Sequence, residues 1–238
     1  MSAGSRFFTL RLVAPIASLQ GSRIDGLADT IPVPSRSMIA GLIGAAIGVG
    51  YDEPKQLQQI QDTLRLAIVV HRSGVVEQDY QIVRMGLPHM VGPMWWHDGH
   101  DFGVMERAGG DPERSIIVER PLSCDIDMTV VVELLSDAPF TAAEILAAFD
   151  EPAYPLGIGQ RVCIPTMRIA GVTLEAKSMT DAIAGIESSG TLYVPAEVAE
   201  GSPQWGDLYV SVPAGRNWTS RQHGGSDTYV VRNAHLGR

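Results

Sequence analysis

The sequence has few of the residues that stabilise secreted or membrane proteins. Its 238 residues include two cysteines, Cys124 and Cys163, without any pattern of paired spacings. We therefore expect buried free thiols in a reducing compartment. No apolar run reaches the roughly 18 residues of a membrane span, and Arg11 interrupts the one run that could pass for a secretory signal. The chain is predicted to be cytoplasmic, with no membrane partner.

Basic residues are also scarce, and the formal net charge is -9. This balance argues against a protein that grips long duplex nucleic acid through its phosphates, because that mode needs a basic face. A protein that holds a short single strand by shape, stacking and backbone amides needs only a few cations. With 45% apolar residues, the chain can bury a core without disulfide, metal or cofactor.

The first half of the sequence alternates strand and helix patterns. Apolar and polar residues alternate from Arg6 to Ala14, as in a half-buried strand. In the stretch PSRSMIAGLIGAAIGVG, Ser35 or Ser37 can cap a buried helix that runs to about Val49. A second helix is expected from about Pro54.

Strands are expected next, over Leu66 to His71 and Val75 to Met85, and then over Ile116 to Glu119 and Thr129 to Leu135. Between them, from Gly86 to Glu113, no helical or strand period is sustained. Loops of this length inside a compact domain are usually functional or mobile.

The later part of the chain has one clear helix start, in which Thr141 and Glu144 form a capping box. Short strands are expected near Thr191 to Val194, Asp207 to Val212 and Thr228 to Arg232. The order of elements over the first 165 residues predicts an α+β fold, a ferredoxin-like (RRM-like) antiparallel sheet backed by helices. Such sheets often bind single-stranded RNA.

Four segments carry a resemblance to a known family. They are LRLVAPIAS (10–18), PSRSMIAGLIGAAIGV (34–49), DYQIV (79–83) and YPLGIGQRVCIP (154–165). In this order they resemble the first strand, a helix start, an inner strand and a proline-flanked turn of the Cas5 family of CRISPR-associated proteins, within the RAMP superfamily. The type I-E branch of that family is the most similar.

This resemblance implies a non-catalytic subunit of a type I CRISPR interference (Cascade) complex, which acts in antiviral defence. In such complexes the family's subunit caps the 5′ handle of the CRISPR RNA, contacts the backbone subunits and the large subunit, and inserts a thumb hairpin at the junction of handle and spacer. Target DNA is then a partner through the complex. The implied organisation is a ferredoxin-like RNA-binding domain over residues 1–170, with a thumb at about 84–119, and a β-rich extension over 171–238 packed on it.

The handle site is expected at the start of the first helix and at the glycine-rich turn. A helix N-terminus presents unpaired N–H groups to an anion, and the segment at 34–37 adds two hydroxyls and a guanidinium. The simpler alternative is that the serines only cap the helix while Arg36 is solvated. The RNA-binding residues predicted outside the thumb are Gln20, Arg23, Pro34, Ser35, Arg36, Ser37, Tyr80, Tyr154, Gly159 and Arg161.

In the thumb, arginines could neutralise the RNA backbone, and large apolar residues could stack on bases, where an aromatic contact contributes about 1–3 kcal/mol. The alternative is that the apolar residues dock on a neighbouring subunit. The predicted RNA-binding arginines are Arg84, Arg107, Arg114 and Arg120, and the predicted thumb or interface residues are Met85, Met90, Met94, Trp95 and Trp96.

The sequence departs from the family pattern at positions that bear on a rival function, metal-independent cleavage of CRISPR repeat RNA. Gln160 replaces the first arginine of the usual pair, and Gln81 stands where histidine is common. Cleavage needs a general base and a general acid. The candidates Tyr80, His71, His89 and Tyr154 form no recognisable constellation. The run from His97 to Asp101 has metal-ligand types but no partner pair elsewhere, and we expect no metal.

Overall fold

The computed structural model describes residues 6–24, 27–84, 115–186, 189–199 and 208–233. Within these ranges the strands are β1 (Phe7–Ala17), β2 (Gln20–Ile24), β3 (Leu27–Thr30), β4 (Leu64–Arg72), β5 (Val75–Arg84), β6 (Ser115–Leu134), β7 (Ala170–Leu174), β8 (Thr191–Pro195), β9 (Leu208–Arg216) and β10 (His223–Asn233). The helices are α1 (Arg36–Ile47), α2 (Pro54–Asp62), α3 (Ala142–Asp150) and α4 (Met179–Ala184).

A large antiparallel sheet organises the described part of the chain. Seven of its strands lie side by side in the order β7-β1-β6-β4-β8-β10-β9, and β5 pairs with the outer part of β6. The centre of the sheet is the pairing of β1 with β6, with Leu10 opposite Val130 and Leu12 opposite Met128. Because strands from both sides of residue 170 share this sheet, the C-terminal strands continue it without a break.

The main hydrophobic core lies between one face of this sheet and the helices α1, α2 and α3. Since side chains alternate between the faces of a strand, Leu10 and Leu12 of β1 and Met128 and Val130 of β6 point into this core, where all four are buried. The apolar face of α1 covers them, with Ile39 and Ile43 also buried. The opposite face of the sheet carries a smaller core around Phe7, Ala67, Val131, Met179 and Ala182, against which α4 packs.

Strands β5 and β6 form a two-stranded ribbon beyond the body of the sheet. Their register runs from Val75 opposite Cys124 to Arg84 opposite Ser115. Val75, Val76 and Tyr80 of this ribbon are exposed. The ribbon continues the pairing of β4 with β6 beyond a two-residue break at Ser73 and Gly74, where the positive φ of 72° at Gly74 favours glycine.

Most of the expected elements are confirmed, including α1 with its Ser35 cap and α3 with its capping box at Thr141 and Glu144. The structure also adds elements. The segment between β1 and α1, for which no element was predicted, contains the β2–β3 hairpin, and β6 is one long strand where two were expected. The sequence pattern of β6 is broken by Pro121 and by Asp125, whose φ is 61°, so a strand that continues through both was not predicted.

The antiparallel sheet backed by helices confirms the coarse α+β prediction. Its ferredoxin-like assignment and the thumb hairpin stay predictions, since residues 85–114 lie outside the described ranges.

Cys163 is buried as expected, Cys124 is half-buried, and both are free thiols. Burial raises the pKa of the Cys163 thiol. No helix in the described ranges is long and apolar enough to cross a membrane.

Candidate functional site

A cleft of about 1000 Å³ opens on the outer side of α1. Its walls come from three parts of the chain that are distant in sequence: the segment at 18–21, the turn at 154–161, and the end of β9 with the start of β10. The lining residues are Ser18, Gln20, Gly21, Ile31, Ser35, Ser37, Met38, Gly41, Leu42, Ala45, Val49, Gly50, Tyr51, Asp52, Leu57, Tyr154, Pro155, Gly157, Gly159, Gln160, Arg161, Arg216, Trp218 and His223.

The start of α1 forms one end of this cleft. The Ser35 hydroxyl accepts a hydrogen bond from the Met38 amide at 3.2 Å and lies 3.1 Å from the Ser37 hydroxyl. Both serines are almost fully buried. The helix cap therefore has the N-terminal orientation in which backbone N–H groups and the helix dipole favour an anion.

The glycine-rich turn is held against the end of β1 by backbone contacts. The Ser18 amide donates to the Ile158 carbonyl at 3.0 Å. Gly159 has a φ of 84°, and a Cβ on it would lie 2.0 Å from the Ser18 carbonyl oxygen. Gln160, at the position where the family usually has arginine, donates through Nε2 to the Ser18 hydroxyl at 3.0 Å. Gln160 thus serves to dock the turn.

Arg161 and Tyr154 are exposed at the rim of the cleft. Within the described ranges Arg161 makes no ion pair, whereas Arg168, seven residues on, is paired with Asp150 at 2.5 Å. The guanidinium of Arg161 is therefore a cation that a ligand in the cleft can use.

Another part of the cleft is lined by Tyr51, Arg216 and Trp218. Together with Arg221, which contacts Tyr51, they form what we call the arginine–aromatic cluster. The guanidinium of Arg216 lies 5.0 Å from the Trp218 ring centre and 5.4 Å from that of Tyr51, and it donates to the Tyr51 hydroxyl. The guanidinium of Arg221 lies 4.5 Å from the Tyr51 ring centre. Such distances are typical of cation–π contacts.

Gln61 of α2 fixes this cluster to the body of the protein. Its amide accepts from the Arg216 amide and from the Trp218 indole, both at 3.1 Å, and donates to the Arg216 carbonyl at 3.1 Å. The Gln61 residue is only 3% exposed. Gln61 therefore positions the turn between β9 and β10, together with Gln58 of the same helix, which accepts from the Trp218 amide at 3.2 Å.

His223, at the start of β10, also lines the cleft. Partial burial lowers the pKa of its imidazole, and the nearby positive charge of Arg216 lowers it further. The histidine is therefore held towards its neutral form, in which one ring nitrogen donates a hydrogen bond and the other accepts one.

The structure brings several predicted RNA-binding residues together in the cleft: Gln20, Ser35, Ser37, Tyr154, Gly159 and Arg161. Arg36 lies elsewhere. Its guanidinium donates to the Asp227 carboxylate at 2.9 Å, beside a separate cavity of about 30 Å³ that also includes Arg65 and Glu197. Its contact with RNA stays a prediction, and Pro34, although buried before the helix, does not line the cleft.

The remaining predicted residues are on the ribbon or outside the described structure. Tyr80 is exposed on β5, and Arg120 on β6 lies opposite Asp79 in the strand register. Arg23 and Arg84 are placed in β2 and β5 by their backbones. The described ranges do not include Met85, Met90, Met94, Trp95, Trp96, Arg107 or Arg114, nor His89 and the run from His97 to Asp101.

The candidate acid–base residues lie in separate places. His71 is on the face of the sheet opposite the cleft, where it lies 2.9 Å from the Thr129 hydroxyl and 3.0 Å from the Ser189 carbonyl. Tyr154 lines the cleft and Tyr80 is on the ribbon. Among the described residues, no group of three or more histidine, cysteine, aspartate or glutamate side chains could hold a metal ion.

The arginine–aromatic cluster was missed by sequence reasoning. The sequence feature that could have indicated it is a C-terminal run in which arginine and tryptophan lie close together: Arg216, Trp218 and Arg221. Only short strands were predicted in this part of the chain. What joins this run to Tyr51 is the packing of α2 against β9 through Gln61, which no local pattern reveals.

Comparison with known proteins gives a consistent result over most of the chain. A family model described as CRISPR-associated protein (Cas_Cas5) matches residues 7–228. The chain is also 26% identical over 186 residues to the CRISPR system Cascade subunit CasD of Escherichia coli (strain K12), a match that covers 77% of this chain and 78% of that protein.

Two solved structures have a similar fold. A chain of a CRISPR RNA-guided surveillance complex superposes with a TM-score of 0.63 at 24% identity, and the match covers 95% of this chain and 88% of that one. A crystal structure of a Cas protein gives a TM-score of 0.55 at 21% identity, covering 95% of this chain and 92% of that one. At these identities the likeness concerns the fold.

Proposed function

The chain belongs to the Cas5 family of CRISPR-associated proteins, and from this premise we propose that it is the Cascade subunit that binds the 5′ handle of the CRISPR RNA. The observation that carries the proposal is the cleft, because it joins two of the segments on which the family resemblance rests. The helix start at Ser35 and the turn at Gly159 to Arg161 are more than 100 residues apart in sequence, yet they line one cavity.

The chemistry of the cleft suits a single strand of RNA. Its donors include the hydroxyls of Ser35 and Ser37 and the guanidinium groups of Arg161 and Arg216. Phosphate oxygens are acceptors, and such contacts to phosphate position a nucleic acid. The net charge of -9 is no obstacle, since a short strand needs only these local donors.

The proposed partners follow from the family and from the exposed ribbon. We propose that β5 and β6 form the stem of the thumb that the family inserts at the junction of handle and spacer; residues 85–114 lie outside the described ranges. Val75, Val76 and Tyr80 give the ribbon an apolar surface, which suits a backbone subunit or the large subunit as neighbour. Target DNA would be met through the assembled complex.

We also propose that the chain is not an enzyme. Metal-independent RNA cleavage needs a general base and a general acid at one phosphodiester, and His71, Tyr80 and Tyr154 lie in three separate places among the described residues. RNA recovered from binding reactions in EDTA should therefore run at its original length on a denaturing gel. A discrete shorter product would favour the alternative, endonucleolytic processing of the repeat RNA.

The Arg161→Ala variant should bind handle RNA about 5- to 10-fold more weakly than the unmodified chain, because it removes a charged hydrogen-bond donor worth about 1–1.5 kcal/mol at the rim. A plot of log K against the logarithm of the salt concentration should also be less steep, by about 0.7 in slope. This is the change expected when one phosphate contact on a single strand is lost. Fluorescence anisotropy with a labelled handle RNA at several salt concentrations measures both quantities.

Arg168→Ala is the matched control for this experiment. It removes the same charge seven residues away, where the guanidinium is already paired with Asp150 outside the cleft. Equal losses in the two variants would indicate a general charge effect and would contradict a handle site at Arg161.

A further inference from the structure

The arginine–aromatic cluster leaves one large ring open at the cleft. Tyr51 is 51% exposed although Arg216 and Arg221 lie within 5.4 Å of its ring centre. Trp218 meets the same ring edge-on, with ring centres 6.5 Å apart at an interplanar angle of 80°. Since Trp218 is itself held by Gln61, its edge-on contact restricts the orientation of Tyr51. A planar group that enters the cleft thus meets a positioned aromatic ring.

Two buried donor atoms in the cleft walls lack a partner. Among the described residues, Nε2 of Gln20 and Nε of Arg216 are buried and make no hydrogen bond. A buried donor without a partner costs about 1–3 kcal/mol, so most such groups in folded proteins are satisfied. Both residues line the same cavity, which points to a ligand that brings hydrogen-bond acceptors.

The cleft lining also includes a hydrogen-bond acceptor, the carboxylate of Asp52. The carboxylate of Asp52 is so close to Gly50 that a Cβ there would be 2.2 Å from Oδ1, which places an acceptor next to Tyr51. A site for phosphate alone would gain nothing from a carboxylate, whose charge repels it. The edge of a nucleobase carries both donors and acceptors, and its flat face stacks on aromatic rings.

The floor of the cleft has room for such a base. Gly41 and Ala45 of α1 line it with small side chains, and a Cβ on Gly41 would already lie 3.3 Å from Cη2 of Trp218. A larger residue at this position of α1 would thus press on the arginine–aromatic cluster and fill the space beside Tyr51.

We propose that the arginine–aromatic cluster is a pocket for one unpaired nucleobase of single-stranded RNA, which stacks on Tyr51 and whose edge is bound by Arg216, Gln20 and Asp52. The inference rests on the proposed function, since the RNA would enter the cleft as the handle. In this proposal the C-terminal strands contribute the contacts to the base, whereas Ser35 and Arg161 contribute the contacts to phosphate.

Abasic substitution tests this pocket in the full-length chain. The probe is a synthetic RNA with the 5′ sequence of the CRISPR RNA that co-purifies with the complex, in which each base is removed in turn. With the unmodified chain, loss of one particular base should weaken binding roughly 5- to 100-fold, the range for stacking on one aromatic ring. A scan in which no single position matters would overturn the proposal without any protein variant.

The Tyr51→Ala variant assigns that base to the pocket. It should weaken binding of the intact RNA by a similar factor, and removing the critical base should then have little further effect. The salt dependence should not change, because no charge is lost. Tyr51→Phe should retain most of the affinity, and Tyr209→Ala, which removes an exposed tyrosine from β9 outside the cleft, should bind like the unmodified chain.

The outcomes separate this inference from the proposed function. If the unmodified chain binds the handle RNA but Tyr51→Ala remains as sensitive to every missing base, the pocket is wrong and handle binding stands. If the unmodified chain does not prefer the handle RNA to an unrelated RNA of equal length, both the proposed function and the pocket are wrong.

Discussion

The Gln61→Leu variant should lower the free energy of unfolding by about 3 kcal/mol. Its side chain satisfies the amide and carbonyl of Arg216 and the indole of Trp218. Leucine has a similar volume but leaves three polar groups without partners, each worth about 1–3 kcal/mol if buried. Because Gln61 is 3% exposed, water cannot fully replace it. Urea unfolding followed by circular dichroism measures the change.

The consequence for function is also specific. Without Gln61 the turn between β9 and β10 loses three hydrogen bonds to α2 and keeps the one from the Trp218 amide to Gln58 at 3.2 Å, so the arginine–aromatic cluster is less firmly positioned and handle affinity should fall as well. Gln59→Leu is the matched control, since Gln59 is exposed and its side chain donates to the Asp137 carbonyl at 3.2 Å. Its loss of stability should stay below about 1 kcal/mol. Similar losses in both variants would contradict the anchoring role of Gln61.

The Gly159→Ala variant should lower the free energy of unfolding by about 3 kcal/mol. At a φ of 84° a side chain is unfavourable by about 1–2 kcal/mol, and the added Cβ would lie 2.0 Å from the Ser18 carbonyl oxygen. Such an overlap forces a backbone shift, which typically costs about 1–3 kcal/mol. The turn at 154–161 would therefore separate from β1 and carry Arg161 away from the start of α1.

Gly224→Ala is the control for this change. A Cβ on Gly224 would meet no atom within 4 Å, so alanine there should alter the stability by less than about 1 kcal/mol. Thermal unfolding of both variants gives the comparison, and handle binding gives the functional readout. A Gly159→Ala protein with unchanged stability and unchanged affinity would show that the turn need not touch Ser18.

Local patterns were sufficient to predict the elements that contain their own signals. Ser35 precedes an apolar helical stretch and caps α1, and Thr141 with Glu144 forms the capping box of α3. The Glu144 carboxylate accepts the Thr141 amide at 2.8 Å, and these hydrogen bonds hold its pKa below the usual range. In such cases the interacting groups are three residues apart, so the sequence shows both partners.

Groups with distant partners were beyond local reasoning. Arg36 looked like a free cation at a helix start, but its partner Asp227 is 191 residues away. Burial raises the pKa of the Asp227 carboxyl while the charge of Arg36 opposes that rise, so the pair is partly desolvated. Gln61 likewise gave no signal on a polar helix, since its partners are 155 and 157 residues away. Tertiary packing decides both roles.

The family resemblance supplied what local patterns could not, namely the expectation that the helix start and the glycine-rich turn act together. The cleft brings Ser35, Ser37, Gly159 and Arg161 into one lining. Their contact with RNA stays a prediction, as does every contact of the thumb beyond Arg84.

Binding of two CRISPR RNAs that differ only in the 5′ handle tests the central claim most directly. The full-length chain is mixed with a labelled RNA that carries the handle or with an RNA of equal length in which an unrelated sequence replaces it, and the two dissociation constants are compared. We predict tighter binding of the intact RNA by at least roughly tenfold, or about 1.4 kcal/mol. Equal dissociation constants would contradict a handle-binding role for this subunit.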